Sequence, residues 1–458
     1  MIRSLWFALF LPCALFASDW PEFLGPARDN CSPETGLCKT IPPKGLPLVW
    51  EKPVGEGYAA PSVRGNLLVL HHRVGRQEVV EGFDAKTGES RWKYGYPCQF
   101  FDPFGFGSGP RCSPVLTADR CYTFGAEGVL LCLELQSGKL LWRRDTATDF
   151  DVPEAFFGVG SSPVLEDGLL IVMVGGQPNS GVVAFDSMTG KTVWENVGEK
   201  TWTGIPMSGW PGERLVRWNS ADPAFQKQAS YCTPVLATIH GKRHVICVTR
   251  QGLVSLDPKT GAHHFSYWFR ARQNDSVNAM TPIVQDDTIL ISSAYYKNGS
   301  ILFHVNPDGN GITEVWRGIQ LEMHWSRPIL KDGFLYAFSG RNEPDGRFRC
   351  VELSTGTLRW DRAEGWPNAG HSRLREGDPV PTVFGRGSAI LADGKLFALG
   401  ESGLLGIFNP NPEKLEELSR WQIPHFAYPC WVGPVLSNKR LYLRDDTRLV
   451  CYDLASSP

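Results

Sequence analysis

A short pattern recurs along this chain and limits the folds that the chain can adopt. Each copy has an apolar strand end, an acidic residue, a Gly-containing turn and a strand that ends in Trp. The clearest copies are "FDAKTGESRW" (83–92), "LELQSGKLLW" (133–142), "FDSMTGKTVW" (185–194), "LDPKTGAHHFSYW" (256–268) and "ELSTGTLRW" (352–360). A looser copy, "VNPDGNGITEVW" (305–316), has one additional turn residue. Self-similarity of this kind predicts an array of similar supersecondary units.

A second signal recurs once in each unit. It is a Pro, or a small residue in its place, followed by apolar residues: "APSV" (60–63), "SPVL" (113–116 and 162–165), "TPVL" (233–236), "TPIV" (281–284), "RPIL" (327–330), "GSAIL" (387–391) and "GPVL" (433–436). A third strand pattern lies between the two signals. Eight units of about 50 residues with four strands each predict an all-β, eight-bladed β-propeller of four-stranded antiparallel blades.

The order of the signals also predicts how the ring closes. The first Trp-containing strand, "GLPLVWEKPV" (45–54), comes before any Pro signal, and the last unit, "RLYLRDDTRLVCYDLASSP", has no such strand. The N-terminal strand should therefore complete the last blade and remove an open sheet edge. In each copy the acidic residue can accept bonds from turn N–H groups, and the Trp can pack between neighbouring blades.

The N-terminus indicates export. Residues 1–17 carry Arg3, an apolar run from Leu5 to Phe16 and then Ala17, which is typical of a signal peptide. We therefore expect a signal peptide at 1–17, an arm at 18–44 and the propeller at 45–458, in a periplasmic or secreted monomer. No later segment has the ~18 apolar residues of a transmembrane helix. The net charge of −2 gives no reason to expect a nucleic acid partner.

Without Cys13, eleven cysteines remain, and no C-x-x-C motif occurs among them. A hairpin turning at Ala126-Glu127 would place Cys121 directly opposite Cys132, as a buried thiol pair rather than a disulfide. Cys31 and Cys38, in the irregular arm, are the better candidates for a disulfide.

The repeat resembles that of the PQQ-like β-propellers, a family that includes quinoprotein alcohol dehydrogenases and the bacterial outer-membrane assembly propeller. The opening "DWPEFLGPARDN…ETGL" (19–37) is similar to the mature N-terminus of exported bacterial members. The resemblance implies either a PQQ-dependent oxidoreductase acting on an alcohol or sugar, with PQQ and calcium in the central funnel, or a binding or scaffold protein. The adjacent cysteines typical of the enzymes are absent here, as is a C-x-x-C-H haem motif. We therefore favour the non-catalytic function, with the oxidoreductase as the alternative, and assign no catalytic residue and no cofactor.

Two motifs suggest metals only weakly. "NPDGNG" (306–311) resembles the start of a calcium loop, but Arg317 stands where such a loop has its bidentate Glu. The doublets His71-His72 and His263-His264 would point to opposite faces of a strand. No metal ligand is assigned.

The loops leading into the Pro signals should surround one end of the central funnel, and they are rich in side chains able to recognise a ligand. The candidate binding residues are Tyr58, Arg111, Tyr231, Asn278, His324, Trp325, Arg327, Arg386 and Trp431. A small molecule or a peptide with an anionic group would complement the cations. The alternatives are that the arginines pair with neighbouring carboxylates, or that the connection 361–386 plugs the funnel mouth. The other long connection is 195–230.

Overall fold

The computed structural model describes residues 18–153, 157–176, 178–198, 201–202, 230–271, 276–365 and 383–455. Their strands form eight antiparallel sheets of four strands, one of which gains a short fifth strand. The chain is an eight-bladed β-propeller, as the repeat predicted. Blades are numbered 1 to 8 along the chain, with strands a to d from the axis outward. The base is the end that carries the a–b turns, and the top is the end where loops enter strand a.

The strand bounds follow the repeat closely. Blade 1 has Ser62–Arg64, Leu67–Val74, Gln77–Asp84 and Ser90–Pro97; blade 2 has Val115–Leu116, Arg120–Phe124, Val129–Glu134 and Leu140–Asp145. Blade 3 has Val164–Glu166, Leu169–Gly176, Ser180–Asp186 and Thr192–Asn196; blade 4 has Val235–Ile239, Lys242–Val248, Gly252–Leu256 and His263–Trp268. Blade 5 has Ile283–Gln285, Thr288–Ser293, Gly299–Val305 and Ile312–Gly318; blade 6 has Ile329–Lys331, Phe334–Ser339, Arg347–Glu352 and Leu358–Ala363.

Blade 7 has Ser388–Ala392, Lys395–Leu399, Leu404–Asn409 and Glu416–Gln422, with Cys31–Ser32 added beside its strand a. Blade 8 has Val435–Ser437, Arg440–Arg444, Arg448–Asp453 and, from the N-terminal end of the chain, Leu48–Pro53. The helical segments within the described residues are short: Thr146–Asp149, Tyr295–Lys297 and Glu343–Asp345.

The acidic residue of the repeat fixes the c–d turn. The Asp84 Oδ1 atom accepts bonds from the backbone N–H groups of Lys86 and Thr87, at 2.9 and 3.0 Å. Asp186 and Asp257 make the equivalent bonds in blades 3 and 4. A carboxylate at this position therefore satisfies turn N–H groups that no strand partner reaches.

The Trp and the Gly of the repeat meet between neighbouring blades. The Trp142 Nε1 atom donates to the Ser187 carbonyl oxygen of the next blade at 3.0 Å. Its ring lies against Gly190, where a Cβ atom would stand 2.8 Å from Trp142 Cδ2. The same contact recurs in the pairs Trp50–Gly88, Trp92–Gly138, Trp194–Gly261 and Trp316–Gly356. The repeat is thus an inter-blade joint, and glycine is required there because the indole occupies the space of a side chain.

The ring closes as predicted. Leu48–Pro53 pairs antiparallel with Arg448–Asp453, and Trp50 lies opposite Cys451. The buried Trp50 donates to the Ala85 carbonyl oxygen of blade 1 at 3.1 Å. The first and last parts of the chain therefore share one sheet, which pairs the outer backbone edge of strand c in blade 8.

The arm that precedes this strand crosses the propeller axis at the base. The arm first contacts the innermost strands of three successive blades: Trp20 with Val63 of blade 1, Pro21 with Leu116 of blade 2 and Arg28 with Leu165 of blade 3. It then pairs through Cys31 with Leu391 in the innermost strand of blade 7. Finally, Glu34 accepts bonds from Asn438 and Lys439 in the a–b turn of blade 8. Blades 3 and 7 stand on opposite sides of an eight-membered ring. The arm consequently spans the base of the central channel, which the repeat pattern did not predict.

The expected position of Cys121 directly opposite Cys132 and the expected disulfide between Cys31 and Cys38 were wrong, whereas the expectation that Cys121 and Cys132 are buried thiols without a disulfide is confirmed. Tyr122, not Cys121, lies opposite Cys132, because the hairpin turn between Gly125 and Val129 has three residues instead of two and is centred half a residue further along the chain. Cys31 and Cys38 are free thiols, like every other cysteine in the described part of the chain. Burial, followed by the charge of Asp29, raises the pKa of the Cys31 thiol to about 12.

Candidate functional site: the funnel mouth and the aromatic loop

In blades 1 to 5, the residue directly before the Pro of the signal links one blade to the next. The backbone N–H groups of Ala60, Ser113, Ser162 and Thr233 each donate to the side-chain hydroxyl of the equivalent residue in the following blade, ending at Thr281, at 3.0–3.2 Å. A small hydroxyl side chain at this position therefore aligns the innermost strands of blades 1 to 5. These strands position the loops that form the funnel mouth.

Arg327 occupies this hydroxyl position in blade 6, and its side chain reaches the arm. The Arg327 Nη1 atom donates to the Asp29 carbonyl oxygen at 2.9 Å. Burial lowers the pKa of Arg327, and its Nε atom is buried without a hydrogen-bond partner. This predicted binding residue therefore lies against the arm that spans the base.

Arg386, Trp325 and Trp431 come together at the mouth between blades 6 and 8. The Arg386 guanidinium lies over the Trp325 ring at 4.8 Å and over the Trp431 ring at 5.6 Å. Its Nη2 atom is 2.9 Å from Glu401 Oε2, which also accepts from Trp431 Nε1 at 2.8 Å. Glu401 is fully buried. The two indoles and the carboxylate thus enclose the cation.

His324 joins this group as a neutral imidazole. Its Nδ1 atom is 3.3 Å from Arg386 Nη1, and its Nε2 atom is 3.2 Å from the Tyr295 hydroxyl oxygen. Burial and then the charges of Arg386 and Arg341 hold the pKa of His324 well below its usual range. The neutral ring can accept a bond from Arg386 through Nδ1 and donate to Tyr295 through Nε2.

Arg111 also faces a buried carboxylate. Its Nη2 atom is 3.3 Å from Asp102 Oδ2 and 3.1 Å from the Gly107 carbonyl oxygen, and its guanidinium lies 5.5 Å from the Tyr58 ring centre. Arg111 and Arg386 are each paired with a carboxylate of the propeller, which is the alternative to ligand binding that the sequence left open. An anion-binding role for these cations stays a prediction.

Tyr231 and Asn278 hold loops together on the other side of the mouth. The Asn278 Nδ2 atom donates to the Thr249 and Phe269 carbonyl oxygens, both at 2.9 Å. The Tyr231 hydroxyl accepts from the Phe157 backbone N–H at 3.0 Å. Both side chains therefore fix neighbouring backbone, which rigidifies the surface around them.

A feature that sequence reasoning missed is the loop 99–110, here called the aromatic loop. It carries Phe101, Phe104 and Phe106, whose relative exposures are 74%, 52% and 41%. The available signal was the group of four phenylalanines (Phe100, Phe101, Phe104 and Phe106) among Gly and Pro, outside any strand pattern.

The backbone of the aromatic loop is held from inside. The buried Asp102 accepts bonds from the N–H groups of Phe104 (2.8 Å) and Phe106 (3.1 Å). The Arg73 Nη1 atom donates to the carbonyl oxygens of Phe100 and, at 3.0 Å, Ser108. Charge-assisted bonds of this kind favour one loop conformation, so the phenyl rings are displayed from a fixed backbone.

The aromatic loop lies across the funnel mouth. The Phe106 ring centre is 5.8 Å from that of Trp431 and 5.9 Å from that of Phe157, and Phe104 is 5.5 Å from Phe157. Trp431 also contacts Tyr58 at 5.1 Å. The loop therefore bridges the top ends of blades far apart in the ring. Residues 366–382 of the predicted plug, 361–386, lie outside the described residues, as do 199–200 and 203–229 of the connection 195–230.

The described residues do not fit a PQQ and calcium site. No group of three or more His, Cys, Asp or Glu side chains within them is placed to hold a metal ion. Arg111 and Arg386, two of the cations predicted to surround a ligand, are paired with Asp102 and Glu401. The segment 306–311 forms the c–d turn of blade 5, in which Asp308 accepts from the Asn310 N–H at 2.9 Å.

These features define an eight-bladed propeller with Trp–Gly joints between blades and an aromatic loop over the funnel mouth. Residues 76–362 match the family model described as outer membrane protein assembly factor BamB, and the chain belongs to this family of PQQ-like propellers. A search of curated proteins finds no match. No helix in the described ranges has the length and apolarity needed to cross a bilayer.

Solved structures with the same fold include enzymes and a BamB protein. Quinohemoprotein alcohol dehydrogenase from Comamonas testosteroni matches with 14% identity and a TM-score of 0.63, over 96% of this chain and 81% of that one. A europium-containing methanol dehydrogenase matches with 13% identity and a TM-score of 0.63, over 93% and 89%. BamB from Moraxella catarrhalis matches with 14% identity and a TM-score of 0.54, over 90% and 99%. At these identities the likeness concerns the fold alone.

Proposed function

We propose that this protein is a non-catalytic binding or scaffold protein whose partner docks at the funnel mouth. The observation that carries the proposal is the aromatic loop, on which Phe101, Phe104 and Phe106 are exposed although their backbone is held in place. The sequence is compatible with two classes of partner, a small molecule or a protein segment. An exposed apolar loop is the kind of surface that binds a protein segment.

The energetics support docking at this place. Covering apolar side chains yields about 25 cal/mol for each Å² removed from water. A loop already fixed by Asp102 and Arg73 loses little conformational entropy on binding, so more of that free energy appears as affinity. Aromatic side chains near the centre of a contact surface commonly contribute most of the binding energy.

Site-specific photo-crosslinking tests this proposal. A photoreactive phenylalanine analogue replaces Phe101 or Phe104, and matched controls carry it at the exposed Leu141 or Val193 on the outer strands. We expect one discrete protein adduct from positions 101 and 104 and only diffuse background from the controls. The triple change Phe101→Ser, Phe104→Ser and Phe106→Ser should abolish an adduct trapped from a neighbouring site, Tyr58. Equal adduct yields at all positions would argue against the funnel mouth as the docking site.

The competing function is a PQQ-dependent oxidoreductase acting on an alcohol or sugar. Purified protein is titrated with PQQ and calcium, and dye reduction is followed with assorted alcohols and sugars and an artificial electron acceptor. We expect no saturable binding and no turnover above that of free PQQ. Stoichiometric binding with substrate-dependent dye reduction would overturn the non-catalytic proposal.

The proposal includes export, to the periplasm or outside the cell. Its support is the sequence of residues 1–17, which lie outside the described part of the structure, together with the BamB-like family. In this organisation 18–44 is the arm and 45–458 is the propeller. N-terminal sequencing of the protein recovered outside the cytoplasm should begin within a few residues of Ser18.

A further inference from the structure

Two carboxylates border the aromatic loop, one near each end. The Glu127 Oε1 atom accepts from the Gln99 N–H at 3.1 Å, at the beginning of the loop. The Glu56 Oε2 atom accepts from the Ser108 N–H at 3.3 Å, near its end. Glu56 is exposed and Glu127 is partly exposed. Each side chain uses one oxygen atom in the bond to the loop and carries its charge at the edge of the phenyl surface.

Arg73 and Arg111, two cations beside the loop, point inward. Arg73 bonds to the carbonyl oxygens of Phe100 and Ser108. Arg111 bonds to Gly107, Gly109 and Asp102, and its side chain is only 12% exposed. Positive charge therefore lies beneath the loop, bound to its backbone, whereas the negative charge of Glu56 and Glu127 lies at its rim.

We propose, building on the function proposed above, that the partner segment covering the aromatic loop carries both apolar and basic side chains. Apolar side chains would pack on Phe101 and Phe104, and Lys or Arg would pair with Glu56 and Glu127. The faces of the phenyl rings are themselves attractive to cations, which adds to the same preference. A segment rich in Asp or Glu would meet like charge at both ends of the loop and be rejected.

Peptide binding measured by fluorescence anisotropy tests this inference. The probes are three labelled 12-residue peptides built from Leu and Lys, from Leu and Glu, and from Ser and Lys. We expect the Leu/Lys peptide to bind at least tenfold more tightly than either of the others. Raising the ionic strength from 50 to 500 mM should weaken its binding several-fold, because the ion pairs are exposed.

Two pairs of variants distinguish the charge preference inferred here from the docking site proposed above. The pair Glu56→Gln and Glu127→Gln should remove most of the preference for Leu/Lys over Leu/Glu. Glu89→Gln with Glu413→Gln, exposed carboxylates in c–d turns at the base, should leave that preference unchanged. Hydrogen exchange of residues 99–110 shows whether the loop stays ordered in each variant, and the salt dependence of the unaltered protein gives an answer that needs no variant.

The outcomes are distinct. Equal or tighter binding of the Leu/Glu peptide overturns the charge preference but leaves docking at the loop intact, provided that the triple Phe→Ser variant loses both Leu peptides. Unchanged binding to the triple variant overturns the loop as the docking site and this inference with it. Absence of binding by all three peptides overturns the inference alone, since the cross-linking experiment tests the docking site independently.

Discussion

The Arg327 Nη1 atom donates a hydrogen bond of 2.9 Å to the Asp29 carbonyl oxygen, across 298 positions of sequence. The bond connects the innermost region of blade 6 to the arm that spans the base. It exists because blade 6 has arginine where blades 2 to 5 have a small hydroxyl residue. Arg327, which departs from the repeat, therefore holds the arm against blade 6.

Arg327→Met should loosen the arm selectively. The substitution keeps most of the apolar stem but removes a charged donor, and bonds to charged groups contribute about 1.5–3 kcal/mol. We expect amide exchange at Asn30 and Cys31 to become at least about tenfold faster, since 1.4 kcal/mol corresponds to a factor of ten. Exchange in strands b and c of blade 3 serves as the internal control. Acceleration throughout the propeller would instead indicate global destabilisation.

Removal of the closing strand should be far more damaging than removal of the arm. Deletion of 18–54 exposes the unpaired edge of Arg448–Asp453, so we expect aggregation or loss of cooperative melting. Deletion of 18–44 leaves Leu48–Pro53 in the chain and should lower the melting temperature while preserving one cooperative transition. Calorimetry and light scattering on both proteins give the comparison. Indistinguishable melting of full-length protein and the 18–54 deletion would contradict the closure mechanism.

Two glycines of blade 3 separate backbone strain from inter-blade packing. Gly168 and Gly190 have φ of +80° and +70°, but a Cβ on Gly168 meets nothing within 4 Å, whereas one on Gly190 meets the Trp142 ring at 2.8 Å. Gly168→Ala should cost about 1–2 kcal/mol for the left-handed backbone alone. Gly190→Ala should cost about 2 kcal/mol more, from overpacking. Urea denaturation measures both, and equal costs would mean that the indole shifts freely.

A buried histidine in blade 1 should make the protein sensitive to mild acid. The fully buried His71 ring lies 3.1 Å from the Tyr96 hydroxyl oxygen, and that hydroxyl donates to Glu78. Burial, followed by the neighbouring His72, lowers the pKa of His71 to about 3, and its Nδ1 atom has no hydrogen-bond partner. In the unfolded chain this histidine has a pKa near 6.5 and binds a proton in mild acid, whereas His71 of the native protein stays neutral. Stability should therefore fall as the pH drops below about 6.5, by at most about 1.4 kcal/mol per pH unit from this group.

Burial raises the pKa of Glu78, so the native protein binds a proton on Glu78 more readily than the unfolded chain does. This stabilises the protein as the pH falls, which opposes the effect of His71. A comparison of variants isolates the histidine. His71→Asn should reduce the loss of stability between pH 7 and 5.5, while His425→Asn, at an exposed position, should leave it unchanged. An unaltered pH profile in the His71 variant would show that other groups govern acid sensitivity.

Regular spacing made the fold predictable. In five joints between neighbouring blades, the Trp of the repeat packs on the turn Gly of the next blade, so one copy explains the others. The position of Cys132 was misjudged because a hairpin turn one residue longer changes every cross-strand partner. The arm and the aromatic loop have no counterpart in other units, and their positions depend on tertiary contacts such as Arg327 with Asp29 and Arg73 with Ser108. At the funnel mouth, the sequence identified Arg386 and Trp431 as candidate binding residues. It did not identify their common partner Glu401, which lies in the b–c turn of blade 7.

The pairing of Leu48–Pro53 with Arg448–Asp453 has a consequence for biosynthesis. A ribosome makes the closing strand about 400 residues before its partner, so this strand stays unpaired until Arg448–Asp453 has been made. Blades 1 to 7 can each form from contiguous chain, but the ring cannot close before Arg448–Asp453 emerges. During that interval an apolar strand containing Trp50 is available to other chains. We therefore expect correct folding to depend on shielding of this strand, by a chaperone or by delayed folding, until its partner has been made.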